Sequence, residues 1–166
     1  MKYCKIKAND VVNGEGTCVS LWTQGCPHHC KGCFNKETWD FEGGKNFTGE
    51  EIVEILEMLD ANGVHRNLSI LGGEPLCKQN MYGVFSLIEL IKHLRPKTKV
   101  YVWTGYKFED LLMKCGPVDL RNIDVLIDGK FEEDKKDIRL KLRGSSNQRI
   151  IDVKKSLEEN KIVNYF

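Results

Sequence analysis

The sequence predicts an α/β protein built on an open parallel β-sheet, a partial β/α barrel of about four to six strand–helix units. Apolar strands alternate with amphipathic helices at roughly thirty-residue spacing, which is the length of a parallel crossover unit. The 166 residues are too few for a closed eight-unit barrel, which needs about 250. Because no internal repeat or linker-like tract interrupts the pattern, residues 1–166 are expected to form a single domain.

The strands are predicted where short apolar segments are bounded by turn residues. The first, residues 17–24 (TCVSLWTQ), is expected to pair with residues 3–8 across a turn at Asn13–Gly14. Further strands are predicted in order at residues 67–71, 99–103, 123–127 and 149–153.

The helices are predicted where apolar residues recur every three or four positions. Residues 48–60 are expected to be helical because Thr48 and Glu51 form a capping box, and Asn62–Gly63 ends the helix. The other helices are expected at residues 80–94, at residues 108–114 before Gly116–Pro117, and in the tail.

Four segments with chemically useful residues directly follow predicted strands. They are the cysteine loop after residue 24, Gly72–Gly73–Glu74, Thr104–Gly105 and Asp128–Gly129. The carboxyl ends of parallel strands lie along one edge of a sheet, which is where ligands bind. The four segments are therefore expected to meet in one cleft.

The cysteine loop carries Cys26, Cys30 and Cys33 in the run CPHHCKGC. An iron–sulfur cluster normally takes four cysteines, so three would leave one iron without a protein ligand. An open metal position suits catalysis better than structural bracing. Zinc is the alternative, with His28 or His29 as a fourth ligand. Structural zinc sites usually use two separated ligand pairs, so this spacing favours iron and sulfur.

The composition limits where the protein works and what it binds. A net charge of +1 gives no general attraction to nucleic acid or anionic lipid, so neither is expected as a partner. The amino terminus lacks an apolar signal-peptide segment, which favours the cytoplasm. In that reducing compartment clustered cysteines bind metal or act in catalysis. The four cysteines outside the loop are expected to be small buried hydrophobic residues: Cys4, Cys18, Cys77 and Cys115.

Two of the strand ends carry carboxylates. The glycines Gly72 and Gly73 let a ligand approach the backbone closely, and Glu74 beside them can accept hydrogen bonds from an ammonium group. Asp128 either caps the following segment or faces the cleft.

The cysteine spacing and the GGEP segment at residues 72–75 resemble the signature of the radical S-adenosylmethionine superfamily. Further segments resemble the family that activates the anaerobic (class III) ribonucleoside-triphosphate reductase, in the same order and over nearly the whole chain. One difference is Gly32, where many superfamily members have an aromatic residue; Phe34 follows the third cysteine instead. The matching segments are residues 10–17, 25–39, 102–106, 124–131 and 143–153.

The resemblance implies a single radical S-adenosylmethionine domain over residues 1–166, of the partial-barrel type. It implies that Cys26, Cys30 and Cys33 are the catalytic metal ligands, holding three irons of a 4Fe–4S cluster while S-adenosylmethionine chelates the fourth. The residues implied to contact this cofactor are Gly72, Gly73 and Glu74 at the ammonium, Gly32, Cys33 and Phe34 along the adenine, and Thr104 and Asp128 at the ribose or carboxylate.

The resemblance also implies the reaction and its partners. An external one-electron reductant, such as flavodoxin or ferredoxin, reduces the cluster, and S-adenosylmethionine is cleaved to methionine and a 5′-deoxyadenosyl radical. That radical takes hydrogen from a glycine loop of the reductase and leaves a glycyl radical there. The mixed charges of residues 130–149 are typical of a solvated surface. Because this run follows the Asp128 strand end, a further hypothesis is that Lys135, Lys136 and Arg139 help in docking the reductase.

Three alternatives stay open at this point. The first is a radical enzyme that acts on a small molecule, and the second is one that acts on another glycyl-radical enzyme. The third is a non-catalytic iron–sulfur electron carrier or metal-braced binding module, in which GGEP would be only a turn.

Overall fold

The computed structural model describes all residues from Met1 to Phe166 and contains one seven-stranded sheet and four α-helices. The strands are β1 (Lys2–Asp10), β2 (Cys18–Thr23), β3 (Lys45–Asn46), β4 (Asn67–Gly72), β5 (Val100–Trp103), β6 (Val125–Asp128) and β7 (Arg149–Asp152). The helices are α1 (Gly49–Leu59), α2 (Met81–Leu94), α3 (Phe108–Leu120) and α4 (Val153–Glu159).

The sheet is mixed, with the strand order β3-β1-β2-β4-β5-β6-β7. Strands β2, β4, β5 and β6 run parallel, whereas β1, β3 and β7 pair in the antiparallel sense at the two sides. The α/β class is confirmed. The pairing of β1 with β2 matches the expectation, β3 was not predicted, and the expectation of a parallel strand is wrong for β7.

The parallel part contains three strand–helix units, β2–α1, β4–α2 and β5–α3, which is fewer than the four to six expected. A further parallel strand needs a crossover, usually a helix. Between β6 and β7 the chain forms only a short 3-10 turn at Glu133–Lys135, and β7 returns antiparallel to β6.

All four helices cover one face of the sheet. Their buried side chains form a single core with alternate residues of the strands, such as Val100 and Val102 of β5. The intervening residue Tyr101 points to the opposite face, where it packs with Val125 and Ile127. Because no helix covers that opposite face, it is free to form a cleft with the loops at the strand ends.

Several local predictions are confirmed. Thr48 accepts a hydrogen bond from the amide of Glu50, and Glu51 accepts one from the amide of Thr48, so the capping box is present. Strands β1 and β2 pair as expected. Helix α3 is interrupted at Gly116, where φ is 80°, but one more helical turn follows Pro117.

The connection between β1 and β2 is longer than a tight turn and lies at the edge of the uncovered face. The buried carboxylate of Asp10 holds it by accepting hydrogen bonds from the amides of Val12 and Asn13 at 2.9 and 3.1 Å. Burial raises the pKa of Asp10, but these bonds and those from the Asn13 and Ser20 side chains outweigh it and lower the pKa. None of the four helices is both long enough and apolar enough to cross a membrane.

Candidate functional site

A cleft of about 490 Å³ lies on the face without helices, where β2, β4, β5 and β6 end. Its volume is in the range of small-molecule sites, about 300–1,000 Å³. Eight of the residues that the sequence predicts for the site line it: Cys26, Cys30, Cys33, Phe34, Gly72, Gly73, Glu74 and Thr104. Gly32 and Asp128 do not line it. The expected convergence is therefore confirmed for the cysteine loop, for Gly72–Gly73–Glu74 and for Thr104–Gly105. Of the fourth segment, Asp128–Gly129, only Gly129 lines the cleft.

The cysteine loop is attached to the chain that follows it by backbone hydrogen bonds. The amide of Gly25 donates to Thr38 at 2.8 Å, and the amide of Cys26 donates to Trp39 at 3.1 Å. These bonds turn the loop back toward the end of β2 and leave its three thiols at the cleft.

Backbone amides also donate to the sulfur atoms. His28 and His29 supply donors to Cys26, Phe131 supplies one to Cys30, and the amide of Asn35 lies 3.4 Å from Cys33 Sγ. Burial nevertheless raises the pKa of Cys26 to about 11. Because thiolates rather than thiols bind metal, these donors and a bound cation must together offset the cost of burying the charge.

Glu74 is the most completely bonded side chain of the site, and it is 1% exposed. Its Oε1 accepts hydrogen bonds from the Leu76 amide at 2.9 Å and from the Thr104 hydroxyl at 2.7 Å. Its Oε2 accepts one from the Gly105 amide at 2.7 Å and lies 2.8 Å from His28 Nε2. The carboxylate thus connects the cysteine loop with the ends of β4 and β5.

The backbone at Gly73 fits tightly against the cysteine loop. A Cβ on Gly73 would lie 2.5 Å from the carbonyl oxygen of Gly25 and 3.0 Å from that of Thr38. The amide of Gly73 donates to Thr23, but its own carbonyl oxygen accepts no hydrogen bond. Gly73 therefore lies in the cleft wall with a carbonyl oxygen that is free to accept a hydrogen bond.

The segment after β6 forms the opposite wall and touches the cysteine loop. The ring of Phe131 packs edge-on against Phe34, with centroids 5.5 Å apart. The side chain of Glu133 fills the space in which a Cβ on Gly32 would stand, and it pairs with Lys31 at 3.3 Å. Gly32 itself has a φ of 72°, a left-handed backbone conformation that favours glycine.

The prediction that Asp128 meets the ribose or carboxylate of the cofactor is not supported. Its carboxylate is 1% exposed, accepts a hydrogen bond from the amide of Phe108 at 2.8 Å, and pairs with the guanidinium of Arg149. Both oxygens are engaged because Arg149, on the antiparallel strand β7, lies directly opposite Asp128. Asp128 therefore fixes β6, β7 and the start of α3 together, and it neither caps the segment that follows it nor faces the cleft.

Several lining residues were not identified from the sequence. His28, considered from the sequence only as a possible zinc ligand, has a side chain that is 8% exposed. Trp39 has a buried indole Nε1 with no hydrogen-bond partner. Lys130 and Arg143 bring positive charge to the cleft. All four lie in segments that resemble the family: His28 and Trp39 in residues 25–39, Lys130 in residues 124–131 and Arg143 in residues 143–153.

The donor set fits a cluster better than a single metal ion. No three histidine, cysteine or acidic side chains lie close enough to hold one ion. Both candidate zinc-ligand histidines are engaged elsewhere, since His28 contacts Glu74 and His29 stacks on Trp39 with centroids 4.6 Å apart. An iron–sulfur cluster is larger than a single ion and offers several sulfur atoms as hydrogen-bond acceptors. It therefore suits three thiols with amide donors and the unpartnered indole of Trp39.

Comparison with known proteins agrees with this geometry. The family model described as a 4Fe-4S single cluster domain matches residues 12–151. Three proteins named anaerobic ribonucleoside-triphosphate reductase-activating protein are similar over most of the chain. The one from Salmonella typhimurium is 43% identical over 150 residues, covering 89% of this chain and 96% of its own.

The second relative, from Escherichia coli strain K12, is 41% identical over 150 residues and covers 89% of this chain and 96% of its own. The third, from Enterobacteria phage T4, is 38% identical over 150 residues, with 90% and 93% covered. The protein therefore contains a 4Fe-4S domain and belongs to the family of anaerobic ribonucleoside-triphosphate reductase-activating proteins.

Proposed function

We propose that this protein activates an anaerobic ribonucleoside-triphosphate reductase as a single-domain radical S-adenosylmethionine enzyme. The observation that carries the proposal is the meeting of three thiols with the Gly72–Gly73–Glu74 segment in one cleft. In this proposal Cys26, Cys30 and Cys33 hold the cluster, which leaves one iron for the cofactor. When bound, the cluster supplies the electron that cleaves the cofactor and so yields the radical that abstracts hydrogen from a glycine of the reductase.

The chain's own residues bind and orient the cofactor. The open carbonyl of Gly73 suits its ammonium group, and the positive charges of Lys130 and Arg143 suit its carboxylate. The backbone of Cys33 and Phe34 is proposed to lie along the adenine, and Thr104 beside the ribose. Apolar side chains of the cleft wall, such as Leu71, Trp22 and Trp103, limit water near the reacting carbon.

The partners and the setting follow from the same proposal. The reductase is proposed to insert its glycine-bearing loop from the side without helices, and a protein such as flavodoxin or ferredoxin is proposed to supply the electron. All seven cysteines are free thiols, which supports a reducing compartment such as the cytoplasm.

The test is an anaerobic assay on protein with a reconstituted cluster. With reductant, S-adenosylmethionine and the reductase, we expect 5′-deoxyadenosine and a glycyl radical seen by electron spin resonance. Cys30→Ala should abolish both signals and lower the iron content, whereas the matched change Cys115→Ala on α3 should keep them. Formation of 5′-deoxyadenosine without any radical on the reductase would instead favour a small-molecule substrate.

A further inference from the structure

The Glu74 carboxylate has no capacity left for a further donor. A carboxylate offers about four lone-pair sites. Two donors occupy Oε1, from Leu76 and Thr104, and two occupy Oε2, from Gly105 and His28, at distances between 2.7 and 2.9 Å. An ammonium group could reach this carboxylate only by displacing one of these donors.

His28 is held in its position from several sides. Because a carboxylate can only accept, the Nε2 of His28 carries the hydrogen of the 2.8 Å contact with Glu74. The ring packs edge-on against Tyr106 with centroids 4.7 Å apart, and it lies so close to Gly105 that a Cβ there would be 2.4 Å from the ring. The ring therefore has one orientation in this packing.

We infer that His28 is a positioning residue that fixes the cysteine loop, through Glu74, to the strand ends that receive the cofactor. His28 lies between two of the cysteines, and Glu74 directly follows Gly73, whose open carbonyl faces no competing donor. The ammonium of S-adenosylmethionine is then bound by the Gly73 carbonyl, while Glu74 sets the distance between that carbonyl and the cluster. This inference rests on the proposed function.

The consequence is a coupling between the cluster loop and the cofactor-binding strand ends. Without the His28 donor, one lone pair of the buried Glu74 carboxylate loses its partner, and the loop loses its side-chain link to β4 and β5. The backbone bonds of Gly25 and Cys26 to Thr38 and Trp39 remain. We therefore expect the cluster to assemble but the cofactor to bind more weakly.

The test compares two substitutions at His28 in the reconstituted full-length protein. His28→Leu removes the donor, and His28→Gln restores an amide that can donate to Glu74. We expect His28→Leu to weaken S-adenosylmethionine binding, measured by calorimetry, by about tenfold or more at unchanged iron content. His28→Gln should bind within about threefold of the unmodified protein, and the cofactor-induced change in the electron spin resonance spectrum should follow affinity.

The control is His65→Leu, the same change at a histidine outside the cleft. His65 is exposed, lines no part of the cleft, and makes no side-chain hydrogen bond or ion pair. The affinity of this control variant for S-adenosylmethionine should stay within about twofold of that of the unmodified protein, because the substitution lies outside the pair of His28 and Glu74.

The outcomes separate this inference from the proposed function. No binding of S-adenosylmethionine by the unmodified protein contradicts the proposed function, whereas unchanged affinity in His28→Leu contradicts only the positioning role. If His28→Leu takes up less iron, His28→Gln decides: restored iron and affinity support the donor role, and an equal loss overturns it. In the double variant with Glu74→Gln, losses that multiply would also overturn it.

Discussion

At the scale of single residues, Arg149 shows how buried charge is satisfied outside the cleft. Its guanidinium pairs with Asp128 of β6 and, at 2.8 and 2.7 Å, with both carboxylate oxygens of Glu109 in α3. The hydrogen bonds from Arg149 lower the pKa of Glu109 to about 2, although burial acts in the opposite direction. The same two carboxylates raise the pKa of Arg149.

This shift predicts an acid-sensitive contribution to stability. A carboxyl group with a lowered pKa stabilises the fold above its unfolded pKa, here 4.5, and loses that effect as the pH falls toward about 2. Glu109→Gln should therefore lower the free energy of unfolding at neutral pH by at most about 1 kcal/mol, because the side chain is half exposed.

The measurement is urea unfolding of Glu109→Gln and the unmodified protein at about pH 7 and about pH 3. The difference between the two proteins should shrink at the lower pH. Glu57→Gln on the exposed side of α1 makes no ion pair and serves as the control. A difference that stays constant across this range would show that the pair with Arg149 does not couple to folding.

At the scale of elements, the end of β4 is joined to the cysteine loop by close backbone packing. The amide of Glu74 donates to the carbonyl of Gly25 at 2.8 Å, and the Cα of Gly73 is packed against the same peptide. The strand end and the loop therefore shift together if either one is displaced.

Gly73→Ala tests this packing. The added Cβ would lie 2.5 Å from a backbone oxygen, so the cysteine loop must shift, and we expect a loss of about 1–3 kcal/mol in the free energy of unfolding. Binding of S-adenosylmethionine should fall as well, because the open carbonyl moves with the strand end.

Gly49→Ala is the matched control for this change. Gly49 is the first residue of α1, and a Cβ there meets no atom within 4 Å. Denaturant unfolding should show equal or slightly higher stability, since alanine favours helix over glycine. Equal stability of Gly73→Ala and the unmodified protein would mean that the loop does not depend on this contact.

At the scale of the whole molecule, local features were predictable from the sequence and distant contacts were not. The capping box of α1 and the break at Gly116 depend on neighbouring residues, so sequence pattern was sufficient. The contact of His28 with Glu74 spans 46 positions and that of Asp128 with Arg149 spans 21. No local pattern specifies such pairs.

The direction of β7 belongs to the same class of features. The segment after β6 has no regular helix, and only tertiary packing decides that Ile150 and Ile151 pair with Ile127 and Leu126 in the antiparallel sense. That direction in turn places Arg149 opposite Asp128 and removes the carboxylate from the cleft. The antiparallel orientation of β7 is therefore the reason why Asp128, a predicted site residue, does not line the cleft.

The mouth of the cleft carries exposed apolar side chains. Val12 and Phe34 line the cleft and are 74% and 60% exposed, and Ile138 is 88% exposed two residues before the lining residue Leu140. The charges expected to help docking are partly paired within the chain: Lys135 with Glu132 and Arg139 with Asp137. Apolar contact is therefore the stronger expected contribution to reductase binding.

Ile138→Asp should weaken the reductase complex by about tenfold, as expected for an apolar interface residue, because the interface would have to bury a carboxylate without a partner. Met113→Asp is the control, since Met113 is 81% exposed but lies on α3, away from the cleft. Two quantities are measured for Ile138→Asp: the yield of glycyl radical at limiting reductase, and the formation of 5′-deoxyadenosine without the reductase. The glycyl-radical yield should fall more than the formation of 5′-deoxyadenosine. Equal effects of the two substitutions on radical yield would contradict docking at this mouth, because an exposed apolar residue on the helical face would then matter as much.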